Sequence, residues 1–260
     1  MERPSSPATI KLTHYPPIDE EELVGRSCYA GLDLARVNDL SSLALIFPPQ
    51  DEGEAVKIIW RHWCPEDDIL RRSRRDRAPY TIWRDQGLLM ATEGNTTDFK
   101  FIEAEILVLA SRFVVTELAY DRTFAGEIVR NLQDEGMALV EFGQGFLSMG
   151  PASAEFLRLL IGRELQHGGN PIATWCASNV SVRKDPAGNE KPDKERSTEK
   201  IDAIVAAVMA VGRMQAGGQG ARSVYESIAS AAAAFRKESG NTNGAASLRG
   251  IGDGWGQFGD

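Results

Sequence analysis

Residues 28–47 read CYAGLDLARVNDLSSLALIF, and the order of apolar and turn residues in this stretch decides how the rest of the chain is read. CYAGLDL (28–34) and SLALIF (42–47) are strand-like segments, and Asn38-Asp39 supplies turn chemistry between them. A third strand-like segment, AVKIIWRHW (55–63), follows the turn-rich Pro48-Pro49-Gln50-Asp51-Glu52-Gly53. Connections this short favour antiparallel pairing, so the three segments predict a meander. Alternation along the first strand sets Tyr29, Gly31 and Asp33 on one face and Ala30, Leu32 and Leu34 on the other. A carboxylate in so apolar a strand needs a partner, because burying it alone is costly.

Beyond residue 63 the pattern changes from meander to alternation. DFKFIEAEILVLASR (98–112) has apolar positions at 99, 102, 106 and 109, a helical period with Asp98 as N-cap. FVVTELAYD (113–121) reads as a strand, 123–135 as a helix stopped by Gly136, and MALVEFG (137–143) as the next strand. ASAEFLRLLIGRELQ (152–166) predicts a further helix, closed by Gly168-Gly169. Three antiparallel strands followed by β-α-β-α is the order of an RNase H-like fold, an α/β class with a mixed sheet and flanking helices. The folded core is expected at 27–215. Residues 1–26, with Pro4, Pro7, Pro16 and Pro17, read as a linker arm. Residues 216–260 read as a Gly/Ala-rich tail with one helical candidate at 223–237, expected to be largely disordered or to bind a partner.

The net charge of −8 argues against a protein that holds nucleic acid by bulk electrostatics. It does not exclude an enzyme acting on DNA, since carboxylates gathered around divalent ions raise the acidic count and the ions then reverse the local field. No apolar run approaches the roughly 20 residues of a membrane helix, and the first residues lack a secretory apolar segment. Cys28, Cys64 and Cys176 are far apart and odd in number, with no zinc spacing, which predicts buried reduced thiols. A cytoplasmic location is expected.

Three aspartates carry the candidate chemistry. Asp33 ends the first strand, although a strand-end Asp can simply cap the following turn. Asp121 ends a second strand, where helix N-capping is the ordinary role. Asp202 lies in STEKIDAIVAAVMAV (197–211), whose apolar positions 201, 204, 205, 208 and 211 predict an amphipathic helix. There the helix dipole alone favours an anion. Two divalent ions about 4 Å apart can activate water and stabilise the leaving oxygen of a phosphodiester, and hard ions such as Mg²⁺ or Mn²⁺ call for oxygen ligands.

Five stretches in order resemble a known family: GLDLARVNDLSSLAL (31–45), APYTIWRDQGLL (78–89), VTELAYDRTFAGEIVRNLQDEG (115–136), LQHGGNPIATWCASNVSVRKDPAGNEKPDK (165–194) and STEKIDAIVAAVMA (197–210). Together they are similar to the nuclease domain of the large terminase subunit of tailed bacteriophages. The resemblance implies a metal-dependent endonuclease that cuts concatemeric DNA during genome packaging in the host cytoplasm. It implies that Asp33, Asp121 and Asp202 are the acidic ligands of two Mg²⁺ or Mn²⁺ ions, with Asp33 bridging them. Double-stranded DNA is the implied substrate, and a portal protein and a small terminase subunit are implied partners. Such subunits carry an ATPase with a GxxxxGK[ST] loop. These residues contain none, so a nuclease without its motor is expected.

Secondary candidates have plainer readings beside them. Asp39 could assist the metal site or form only an Asn-Asp turn. His167 could act as a base, though bonding the carbonyls at a helix end is the simpler role. Arg71–Arg77 and the cluster Lys184, Lys191, Lys194 and Arg196 could contact phosphate, the second on a hairpin turning at 185–189, and Lys194 is favoured. A non-catalytic docking module, held through the tail, is the alternative function. An actin-like ATPase is disfavoured because Ala35–Leu40 contains no glycine for a phosphate turn.

Overall fold

A computed structural model describes residues 16–217, apart from 36–39, 68, 124 and 125. Asp39, residues 218–260 of the tail and its helical candidate lie outside the described residues. The first strands are β1 (Ser27–Asp33), β2 (Ser41–Phe47) and β3 (Val56–Pro65), followed by α1 (Ile69–Arg75), α2 (Tyr80–Asp85) and β4 (Met90–Thr92). Then come α3 (Phe99–Arg112), β5 (Val114–Tyr120), α4 (Gly126–Asp134), β6 (Leu139–Glu141) and α5 (Phe146–Ile161). The remainder is β7 (Leu165–Gln166), α6 (Pro171–Asn179), β8 (Val182–Lys184), β9 (Glu190–Pro192) and α7 (202–217).

The expected meander is present: β1 pairs β2 and β2 pairs β3, both antiparallel. β5 adds parallel to β1, and β6 parallel to β5. The order is β4-β3-β2-β1-β5-β6, with β7 also pairing with β3. The short strands β4 and β7, not legible as strands in the sequence, both run parallel to β3. One sheet face packs Ala30, Leu32, Leu43 and Leu45 against Ile102, Ile106 and Leu109 of α3 and Ile128 and Leu132 of α4. The other packs Ala44, Ile46 and Ile58 with residues of α5, α6 and α7. Both faces of β1 are therefore covered, and its alternation divides it between two cores. Ahead of β1, Leu23 is fully buried and Glu20 pairs with Arg61 at 2.7 Å.

Two expectations need correction. The helix placed at 152–166 is α5, which starts at Phe146 and ends at Ile161. Pro151 lies inside it, and Leu147, the residue whose carbonyl it leaves without an amide, is 93% exposed. Its end is set by Arg163 in a left-handed conformation (φ 56°), with the Arg163 and Glu164 amides bonded back to Leu160 and Leu159. Gly162 is the cap residue itself, with helical backbone at φ −69°, and the left-handed residue that follows it is an arginine rather than a glycine. Gly168 and Gly169, at φ 65° and 64°, instead form the turn from β7 into α6. Asn170 then caps α6, accepting from the Ile172 and Ala173 amides at 2.9 and 3.0 Å. Asn170→Ala is expected to cost about 1 kcal/mol, read as a fall of about 2–4 °C in Tm.

The second correction concerns α7. It is not amphipathic over its first turns: every residue from 201 to 211 is buried. Alanines at 203, 206, 207 and 210 make it thin enough to lie directly on the sheet.

Beside β1, Ser42 and His62 form a buried pair, Oγ to Nδ1 at 3.0 Å. Burial pushes the His62 imidazole down from 6.5 to about 3, with the charge of Arg61 adding to the effect. Between those two values the unfolded chain binds the extra proton, so stability falls as pH falls from about 6.5 toward 3. A His62→Asn variant should therefore show a shallower decline of Tm between pH 6.5 and 4 than the wild type, a difference thermal denaturation can read directly.

Candidate metal centre

Asp33 and Asp202 meet because β1 and α7 touch at the backbone. A Cβ built on Gly31 would stand 2.1 Å from the Ala206 carbonyl oxygen and 2.8 Å from the Ala210 nitrogen. From that contact, two strand residues lead to Asp33, a rise of about 6.6 Å. Four helical residues lead back to Asp202, about 6 Å. The two lengths match, so one close approach brings both carboxylates to one place. Both residues are buried, at 3% and 2% exposure.

Lys194, just past β9, joins them. Its Nζ stands 2.6 Å from Asp33 Oδ2 and 3.0 Å from Asp202 Oδ1. Burial pushes the Asp33 carboxyl up to about 7; Lys194 opposes this, while the charges of Asp202 and Asp121 add to it. Burial works against the Lys194 charge, but the two carboxylates hold it above the usual lysine range. Asp202 Oδ2 is buried without a hydrogen-bond partner.

Asp121 follows β5 directly, one step beyond the Leu32–Tyr120 pair that aligns β5 with β1. It therefore stands at the strand end beside Asp33, near enough for its charge to be felt there. Its Oδ1 accepts from the Thr123 amide at 2.8 Å and the Thr123 hydroxyl at 2.6 Å. Asp33 and Asp202 are thus brought together, while Asp121 is held in a local turn. Among the described residues no group of three His, Cys, Asp or Glu side chains stands ready to hold one ion. The donor set still fits a hard cation: oxygen only, two buried carboxylates, an unpartnered oxygen, and a positive charge already drawn to the position.

Nearby residues complete the surroundings. A cavity of about 210 Å³ adjoins Lys194 and is lined by Gln144, Met149, Arg183 and Lys191 among others. The hairpin β8–β9 forms as expected, and Lys191 lies over the Phe146 ring at 5.6 Å. Lys184 pairs with Glu190, and Arg75 with Asp76. All three cysteines are free and buried, and burial pushes each thiol up. Cys176 also feels the Asp202 charge. His167 is not at a helix end: it is buried in the β7–α6 turn, its Nδ1 accepting from the Gly169 amide at 3.2 Å. The close approach at Gly31 and the Lys194 ion pairs lie beyond the sequence-based expectations. The alanine spacing of α7 signalled the first, and no local pattern signalled the second.

The family model described as "Terminase large subunit, endonuclease domain" matches residues 6–218. The chain belongs to the terminase large subunit endonuclease family. The large terminase subunit of Enterobacteria phage HK97 is 39% identical over 193 residues, covering 72% of this chain and 37% of that protein. The crystal structure of the HK97 large terminase aligns with a TM-score of 0.69 at 38% identity, covering 76% of this chain and 40% of that one. The chain thus spans about two fifths of these relatives' length. The large terminase nuclease of thermophilic phage G20c, in a crystal structure with bound magnesium, aligns with a TM-score of 0.50 at 11% identity, covering 78% of this chain and 94% of that one. At that identity the likeness concerns the fold, which is RNase H-like, as expected from the strand order.

Proposed function

We propose that the chain is a divalent-metal-dependent DNA endonuclease that cuts concatemeric phage DNA during packaging, with Asp33, Asp121 and Asp202 as its metal ligands. The observation that carries this is the convergence of two buried carboxylates, Asp33 and Asp202, at the end of the central strand. Family membership and the magnesium in the G20c nuclease support the choice of a hard cation such as Mg²⁺ or Mn²⁺. Bound ions would supply activation of water and stabilisation of the leaving oxygen.

The chain's own residues do the rest. β1 and α7 fix Asp33 and Asp202 on rigid elements, so little reorganisation is needed to receive a cation. Asp121 joins by releasing Thr123, a change confined to one side chain. Burial of both carboxylates, with Cys176 near enough to feel the Asp202 charge, strengthens their field. Arg183, Lys191 and Lys194 border the adjoining cavity and are the basic groups best placed to meet backbone phosphates of double-stranded DNA. The sequence carries no base-recognition motif, so cleavage should depend weakly on DNA sequence. A portal protein and a small terminase subunit are the partners that family membership suggests, in the cytoplasm of a bacterial host. Among the described residues no helix is long and apolar enough to cross a membrane.

The test is direct. Purified protein should nick and linearise supercoiled plasmid with Mn²⁺ and stop when EDTA is added. Cleavage that persists at full rate in EDTA would sink the metal-dependent reading.

A further inference from the structure

We propose that Lys194 is the resident counterion of this centre, occupying the cation position through its ammonium and leaving when a divalent ion enters. The inference rests on the metal-site reading above. The ammonium lies 2.6 Å from one carboxylate and 3.0 Å from the other, the place a shared cation would take. Two positive centres cannot both stay there, since like charges at that spacing in a buried site repel strongly. One charge also balances two carboxylates only in part, so a dication has a reason to replace it.

The surroundings allow the exchange. Lys194 belongs to the segment between β9 and α7, and 38% of its side chain is exposed, so it can swing without unpacking the core. The adjoining cavity of about 210 Å³ is open to it. Once displaced there, it stands beside Arg183 and Lys191, where it can face a phosphate. The same lysine thus neutralises the acids in the metal-free protein and becomes available to DNA when metal is bound. Removing one partner of a buried ion pair is strongly destabilising, which is why the metal-free fold needs it.

The test compares wild type, Lys194→Met and Lys194→Gln by calorimetric Mn²⁺ titration and thermal denaturation. Without metal, both variants should melt about 5–10 °C below wild type. Saturating Mn²⁺ should close most of that gap, because an ion that binds only the fold stabilises by mass action. Both variants should bind Mn²⁺ about tenfold or more tightly than wild type, with one competing charge removed. Equal or weaker Mn²⁺ affinity in the variants, with binding lost in Asp33→Asn, would overturn the counterion role and leave the metal site standing. No Mn²⁺ binding in any form would overturn both. Should neither variant fold, the exchange is read in the wild type: the ¹³Cε resonance of Lys194 should shift on Mg²⁺ addition. A resonance unmoved at saturating Mg²⁺ overturns the proposal.

Discussion

Replacing Asp33 by asparagine should reduce plasmid cleavage by on the order of 10³-fold or more, the scale of loss when one member of a catalytic set is removed. The amide keeps the shape of the side chain but takes away the negative charge nearest the centre of the site. Asp33 ends the central strand, lies within reach of Lys194, and feels both Asp202 and Asp121. Removing it therefore weakens every pairing there. The fold should survive, because Lys194 keeps Asp202 as partner and a carboxylate with a desolvation cost has gone. The expected result is a folded protein of nearly unchanged Tm that neither nicks nor linearises DNA in Mn²⁺. Equal cleavage by wild type and variant, at matched purity, would rule out the assigned role.

Gly31→Ala should have the largest effect on stability. Its Cβ would stand 2.1 Å from a backbone oxygen of α7, so the helix must move away from β1. Overpacking in a core ordinarily costs about 1–3 kcal/mol. Here the neighbour is backbone rather than a flexible side-chain tip, so the cost should reach or exceed about 3 kcal/mol. That corresponds to a fall in Tm of roughly 6–12 °C for a domain of this size. Because the same contact brings Asp33 to Asp202, surviving protein should also be inactive. Gly126→Ala is the control: a Cβ there meets nothing within 4 Å and its melting temperature should hold. A Gly31→Ala protein as stable and active as wild type would contradict the backbone contact.

Much of the fold was legible because it is local. The three meander strands, α3 with its Asp98 cap, and Gly136 after α4 each announce themselves within a dozen residues. The errors arose where distant parts decide. β4 and β7 are two or three residues long and exist only because β3 offers them an edge. α5 is capped by Gly162 with an arginine at positive φ after it, while the more conspicuous Gly168-Gly169 pair serves a later turn. The amphipathic pattern of α7 gave way to burial on all sides because Gly31 lets the helix come so close.

The site divides in the same way. Asp33 and Asp202 were read from strand end and helix start, and they converge. Asp121 also stands at a strand end, but its carboxylate is held by Thr123, a competing interaction two residues away. In the sequence Lys194 stands out only as a basic residue for DNA. Its pairing with both acids depends on how the segment after β9 folds back onto β1, and no spacing in the sequence encodes that return.

The most direct measurement is a crystal structure of the protein soaked in Mn²⁺, with anomalous data collected to locate the metal. The metal should lie against Asp33 and Asp202, with Asp121 turned from Thr123 toward it and Lys194 Nζ withdrawn from both carboxylates. Manganese bound elsewhere, with Lys194 still joining Asp33 and Asp202, would contradict the assignment of this centre.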